Sequence, residues 1–292
     1  MNRLFAVVGA ICISFAAVFF RYAEVSPSTA VFWRMIYSMP MLVVLSWILG
    51  TKDTRSRRAR VIALTAGALF ALDLVMWHQA ILDIGVGLAT VLANTQVLWV
   101  GLAAWALLRE RPSNYALILV PLVLVGVMLM SGLGRADAFG AHPLRGVTWG
   151  VGAALAYSSY ILTYRSAGSP SGAVIPVLLD TCVGAAAASV LLAWTFGQPI
   201  DFTVVFPSHG YLIALAAVVQ VGGWMCIGRA LPRLAALETS VILLLQPIGA
   251  IGWGWLLFHE RLSVAQWVGA ASVLFAVATL SITGAVRRKP VS

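Results

Sequence analysis

Charge is scarce in this chain. Of its 292 residues, 10% are charged and 61% are hydrophobic, whereas a soluble domain carries about 25% charged residues. A mean hydropathy of +0.95 lies far outside a soluble composition. Cysteine is scarce too. Cys12, Cys182 and Cys226 all lie inside apolar runs, with no CxxC spacing and no histidine close by. They read as inert buried thiols and are silent on the redox compartment. Enzyme signatures are missing: the chain contains no HExxH, no GxSxG, no P-loop and no paired acidic metal motif. The sequence therefore predicts no catalysis, no cofactor and no metal, and the missing P-loop argues against a pump driven by ATP within this chain.

Long apolar runs are what the chain does contain. A bilayer core of about 30 Å takes roughly 20 helical residues, so runs of this length read as spans. Ten are counted, at 4–20, 30–49, 61–82, 86–108, 114–132, 146–164, 172–196, 210–231, 235–257 and 264–285. Between them stand turn residues or charge, such as TKDTRSRRAR at 51–60 and RERPS at 109–113. Short loops make consecutive helices antiparallel neighbours. No soluble domain and no low-complexity segment interrupts them. The first run follows only Asn2 and Arg3 and shows no small-residue cleavage site, so it reads as a retained helix.

The basic residues orient the chain. With the N-terminus in the cytoplasm, 14 Lys and Arg fall inside and 5 fall outside, the latter being Arg21, Arg34, Arg135, Arg145 and Arg261. Both termini are then cytoplasmic, in an inner or plasma membrane. The net charge of +9 becomes a topology signal that favours anionic lipid, not nucleic acid. The partners expected are a small-molecule substrate and membrane lipid, with no obligate protein partner evident.

The chain also repeats itself. At an offset of 150, residues 88–113 align with 238–263 without a gap, matching Gln96 to Gln246, Trp105 to Trp255, Glu110 to Glu260, Arg111 to Arg261 and Ser113 to Ser263. At an offset of 143, SPSTAV at 26–31 matches SPSGAV at 169–174, and Gly9-Ala10 matches Gly152-Ala153. This gives two copies, 1–140 and 141–292, of five spans each. Five is odd, so the second copy enters the membrane upside down, with Glu110 facing the cytoplasm and Glu260 the outside. The fold expected is all-α and integral to the membrane, with ten transmembrane helices as two inverted five-helix repeats. Inverted repeats suit alternating access, because exchanging the conformations of the halves turns an inward cavity outward.

The two copies, QVLWVGLAAWALLRERPS at 96–113 and QPIGAIGWGWLLFHERLS at 246–263, resemble the EamA-type repeat of the drug/metabolite transporter superfamily. Arg34 resembles the arginine common in the second span of that family. The resemblance covers essentially the whole chain. It implies a carrier exporting amino acids or related metabolites, and among bacterial branches it looks most like the aromatic amino-acid exporters. One departure is Val97, where the family often has proline. A proline-driven helix break is expected at Pro247 only. The alternative class is a membrane-embedded enzyme or a lipid-handling scaffold, against which the repeat and the missing motifs both count.

Candidate binding residues are the polar and aromatic groups at depth. Asp73, in the middle of the third run, reads as a contact for a substrate amine or a proton-coupling carboxylate, or as a structural hydrogen bond to a neighbouring helix. His78 lies about 140° around the helix from it and has a pKa suited to proton coupling. Tyr157, Tyr160 and Tyr164, spaced 3 and 4, share one helical face. Trp77, Asn94, Gln96, Trp99, Gln220 and Trp224 are further lining candidates, since a flat apolar ring carrying one donor suits a zwitterion with an apolar side chain. Tyr and Trp also form interfacial belts. Gln246 precedes the proline and reads as a midplane contact. Asp180, the repeat mate of Tyr37, is a weaker candidate. Arg34 reads as a structural group near a membrane face, snorkelling or paired with a carboxylate.

Overall fold

The computed structural model describes residues 2–96, 98–99, 114–130, 139–167, 174–230 and 245–287, and every regular element among them is helical. α1 (Asn2–Ser14) and α2 (Ala16–Ala23) run on through Phe15, whose backbone stays right-handed. The chain stops at Glu24, with φ 52°, and Ser26 then caps α3 (Pro27–Ile48) by accepting the Thr29 N–H at 3.3 Å. A hydroxyl N-cap followed by proline is a strong helix start. Ser56 caps α4 (Arg57–Ala93) in the same way. α4 is two helices meeting at Gly85, where φ 84° and ψ 171° suit glycine alone. The third and fourth apolar runs are thus joined with no loop. α5 (Asn114–Met130), α6 (Pro143–Ser166) and α7 (Val174–Thr195) follow. α8 (Ser208–Ala214) passes into a π-helical stretch, Leu215–Gly223, and then into α9 (Trp224–Ala230). α10 (Leu245–Phe258) and α11 (Val264–Arg287) complete the set.

Among the described residues five helices are long and apolar enough to cross a membrane: Leu4–Ala23, Pro27–Ile48, Arg57–Ala93, Val174–Thr195 and Ser208–Ile227. That is half of the ten spans expected. Parts of the others, including 101–108 and 231–244, lie outside the described residues. The surface is apolar, with Trp47, Leu191, Trp194 and Phe275 turned outward, while Arg34, Asp73, His78, Asp83 and Gln220 are buried. Such an inside-out distribution suits lipid as solvent.

Packing is reciprocal between the halves. α1 lies against the π stretch, α9 and α10, while its counterpart α6 lies against α4. α3 touches the π stretch and α7 touches α4, and the pairs α3–α7 and α5–α11 are in contact. The glycines show how closely the halves pack. A Cβ on Gly9 would meet Ile227, Gly223 and Cys226, and a Cβ on its repeat mate Gly152 would meet Met76. Met76 therefore corresponds to the turn 223–227, at offsets close to the 150 read from the sequence.

The charged corner LFHERLS does more than mark a membrane face. The Glu260 carboxylate is buried and accepts the N–H of Val86 at 2.6 Å and of Gly87 at 3.2 Å. It caps the half of α4 that restarts after Gly85. The helix that follows it, α11, is started by a reciprocal capping box, in which Gln266 N–H donates to Ser263 Oγ at 3.3 Å and Ser263 N–H donates to Gln266 Oε1 at 3.0 Å. A Cβ on Gly85 would lie 2.6 Å from the Glu260 carboxylate, and one on Gly254 would also collide with it. Gly254, whose spacing from Ala250 points to helix packing, makes room for this group. Burial pushes the Glu260 carboxyl up, and the two amides partly offset that. Glu110, its repeat mate, lies outside the described residues.

Candidate functional site

A buried polar and aromatic cluster lies where α3, α4, α6 and the π stretch meet. Because α3 begins at Pro27, Arg34 is its eighth residue, with only 2% of its surface exposed. It does not snorkel, as a position near a membrane face implied, and it closes no salt bridge among the described residues. Its Nε–H donates to Gln220 Oε1 at 2.9 Å, its guanidinium lies 5.7 Å from the centre of the Phe70 ring, and its Nη1 is buried with no hydrogen-bond partner. Asp73 acts on it electrostatically, but the ion pairs closed among the described residues lie elsewhere, joining Arg55 and Arg60 to Asp53 and Asp180, and Arg145 to Asp83.

The tyrosine face of α6 closes one side. Tyr157 and Tyr160 stack at 5.8 Å, Tyr160 meets Tyr164 at 5.5 Å, and Phe70 stacks on Tyr160 at 4.6 Å. Trp224 sits edge-on to both Phe70 and Tyr160, at 6.1 Å. The Tyr160 hydroxyl is buried without a partner, and the Gln96 side chain lies beside the Tyr157 hydroxyl. His78 is fully buried, stacked on Phe20 at 3.9 Å and tilted against Trp77 at 5.2 Å. Neither of its ring nitrogens makes a well-formed hydrogen bond, although the Pro27 carbonyl is near. Trp77 Nε1 and Gln96 Oε1 are likewise buried and unpaired. Buried polar atoms without partners are uncommon in folded chains, and here several that have none among the described residues fall in one cluster.

The structure thus brings together Asp73, Trp77, His78, Tyr157, Tyr160, Gln220 and Trp224 from the sequence-predicted set. It does not do the same for Asn94 and Gln246. Asn94 turns back on its own helix, its Nδ2 donating to Thr90 O at 2.8 Å. Gln246 stands half-buried in the first described turn of α10, which packs on α1 and α4. The helix does break in the first copy, although Val97 replaces proline: α4 stops at Ala93, and Thr95 Oγ1 donates to Leu92 O at 2.7 Å. A hydroxyl bonded back to the preceding turn competes with the helix much as proline does.

Arg34 and Phe70 are the members that sequence reasoning did not place in the site. An arginine four residues from the expected span end at residue 30 reads as an anchor, and a phenylalanine in an apolar run carries no signal. Asp180 proves structural. Arg55 Nη2 donates to it at 2.7 Å and to Pro176 O at 2.9 Å, while Arg55 also holds Asp53, whose carboxyl it keeps below the usual range. An apolar groove of about 460 Å³ is lined by Pro40, Met41, Val44, Leu45, Ile48 and Val221. It offers no polar group to a solute and faces where lipid would lie.

The EamA-like transporter family profile matches residues 3–132 and again residues 144–282. The chain belongs to the EamA-like transporter family. It is therefore a multi-pass membrane protein of a transporter family, and the two matches fall on the two halves of the repeat. A solved structure described only as a protein crystal structure superposes with a TM-score of 0.62 at 17% identity, covering 100% of this chain and 99% of that one. At that identity the likeness speaks for the fold alone. No curated protein matches the chain.

Proposed function

We propose that this chain is a secondary carrier that exports amino acids or related small metabolites across the inner membrane. Its substrate sits in the cluster around Arg34, Asp73, Tyr157, Tyr160, Gln220 and Trp224, and Asn94 and Gln246 line the path at its edge. The two halves, 1–140 and 141–292, act as inverted repeats of five spans with both termini in the cytoplasm. Their reciprocal packing supports this reading, since each half leans on the other through equivalent helices. Rocking one half against the other exposes the cluster to one side and then to the other.

The observation that carries the proposal is the set of buried polar atoms with no partner among the described residues, in an otherwise apolar bundle, on Arg34, Trp77, His78, Gln96 and Tyr160. A buried polar group without a partner costs about 1–3 kcal/mol, and a passing solute would recover that cost. The alternative, a membrane enzyme or lipid scaffold, finds less support: the cluster has no nucleophile–base pair, and among the described residues no group of His, Cys, Asp and Glu could hold a metal. The test is release of preloaded labelled amino acids from proteoliposomes, with Asp73→Asn as the site variant. Saturable release that Asp73→Asn abolishes supports the reading, and identical release from empty liposomes overturns it.

A further inference from the structure

We infer that Arg34 is the specificity-determining residue of the site, selecting substrates that carry a carboxylate, and that Gln220 on the π stretch holds it in position. This rests on the reading of the cluster as a substrate site.

Two other arginines of this chain show how it compensates a structural guanidinium. Arg55, whose side chain is 1% exposed, is neutralised by Asp53 and Asp180 and also donates to Pro176 O. Arg145 forks onto Asp83 with contacts of 2.9 and 2.6 Å. Arg34 is as deeply buried as Arg55 and receives much less. A neutral amide accepts its Nε–H and a phenyl face lies under it. One terminal nitrogen of each arginine lacks an acceptor among the described residues, but Arg55 has two carboxylates and Arg34 has none. Removing a guanidinium from water costs several kcal/mol unless paired charge and hydrogen bonds return it. Asp73 supplies field at a distance but no ion pair. A structural arginine would close that pair, as Arg55 and Arg145 do.

The remaining geometry names the missing partner. A guanidinium presents a planar fork of five donors, which matches a carboxylate through two parallel hydrogen bonds. Gln220 engages the Nε side, which leaves the terminal nitrogens directed elsewhere. The Tyr160 hydroxyl, unpaired and electrostatically coupled to the same cluster, adds a donor from α6. Asp73 and Gln96 Oε1 are acceptors within the same cluster and suit an ammonium. Phe70, Tyr160 and Trp224 supply ring faces and edges for an apolar side chain. Arg34 feels Asp73 of the first half and is bonded to the neutral Gln220 of the second. A carboxylate on the free edge of Arg34 would leave the Asp73 carboxylate available to the ammonium.

The experiment uses the full chain in proteoliposomes, wild type and Arg34→Gln, Arg34→Lys and Gln220→Ala. Competition against labelled flux is measured for each of the common amino acids and for its matched amine, which lacks the carboxylate. For wild type, the amine is expected to compete at least about tenfold more weakly than its amino acid, the size of one lost charged hydrogen bond. Arg34→Gln should bring the two within about twofold, Arg34→Lys should keep part of the preference, and Gln220→Ala should raise the half-saturating concentration with little change in maximal rate. Arg34→Lys and Gln220→Ala carry the test if Arg34→Gln does not fold. Equal competition by amine and amino acid in wild type, or a preference that survives in every variant, overturns the inference while leaving the carrier reading intact. If wild type moves neither class, the carrier reading itself falls.

Discussion

At the scale of single residues, two buried arginines differ in what compensates their charge, carboxylates for Arg55 and a neutral amide for Arg34. Arg55 ties the loop before α4 to α7 through Asp53, Asp180 and the Pro176 carbonyl. Arg55→Ala strands Asp180, whose next cation is the exposed Arg60 at 3.6 Å. A drop in melting temperature corresponding to about 2 kcal/mol is expected in detergent, while Asp180→Asn should cost less because Asp53 still serves Arg55. An unchanged melting temperature for Arg55→Ala contradicts this assignment. In the site, Tyr157→Ala is expected to cut flux about tenfold, a loss typical of one buried aromatic contact with its hydroxyl, whereas Gln246→Ala should cost less because it stands outside the cluster; the reverse order, measured at equal expression, would count against this placement. Asp73 and the tyrosine face were legible in the sequence because charge at bilayer depth and a 3–4 spacing of phenols stand out against an apolar background. The role of Arg34 was not, because moving the start of α3 from residue 30 to Pro27 changes an anchor into a buried group.

At the scale of elements, the π stretch and the Glu260 cap are the two devices that the apolar pattern concealed. A π-helix arises when a helix carries an extra residue, and such segments gather at functional sites. Here it sets Gln220 toward Arg34. Deleting Gly222, which lies within Leu215–Gly223, should return the stretch toward α-helix and turn Gln220 away by about 100°. The expected result is a chain that keeps its expression and melting temperature but loses the preference for carboxylates. A deletion variant that retains that preference would show that the π stretch does not position Gln220. The Glu260 cap joins the corner after α10 to the restart of α4, so Glu260→Ala leaves two buried N–H groups unpaired. Its cost should be about 1–3 kcal/mol, read as lower thermal stability, with Glu260→Gln intermediate because one amide oxygen can still accept. Equal stability of Glu260→Ala and wild type would contradict the cap. The repeat singled out this glutamate, but no one-dimensional pattern could say that its partner amides lie 174 and 173 residues away.

At the scale of the whole molecule, the repeat is the feature that organises the rest. It was legible because its two ends align without gaps. The register between them was hidden because the offset changes from 143 to 150, and the contacts of Gly9 and Gly152 match Met76 to the turn 223–227. The resulting arrangement puts a partly compensated cation, Arg34, where two mutually packed halves meet, in a family of transporters. The central claim, that solute crosses by alternating exposure of this cluster, is tested most directly by counterflow in proteoliposomes. Liposomes loaded with an excess of an unlabelled amino acid should transiently accumulate the labelled one above its outside concentration, and Asp73→Asn and Tyr157→Ala should abolish the overshoot. Labelled solute that never rises above simple equilibration, for every amino acid and related metabolite tried, would contradict the account.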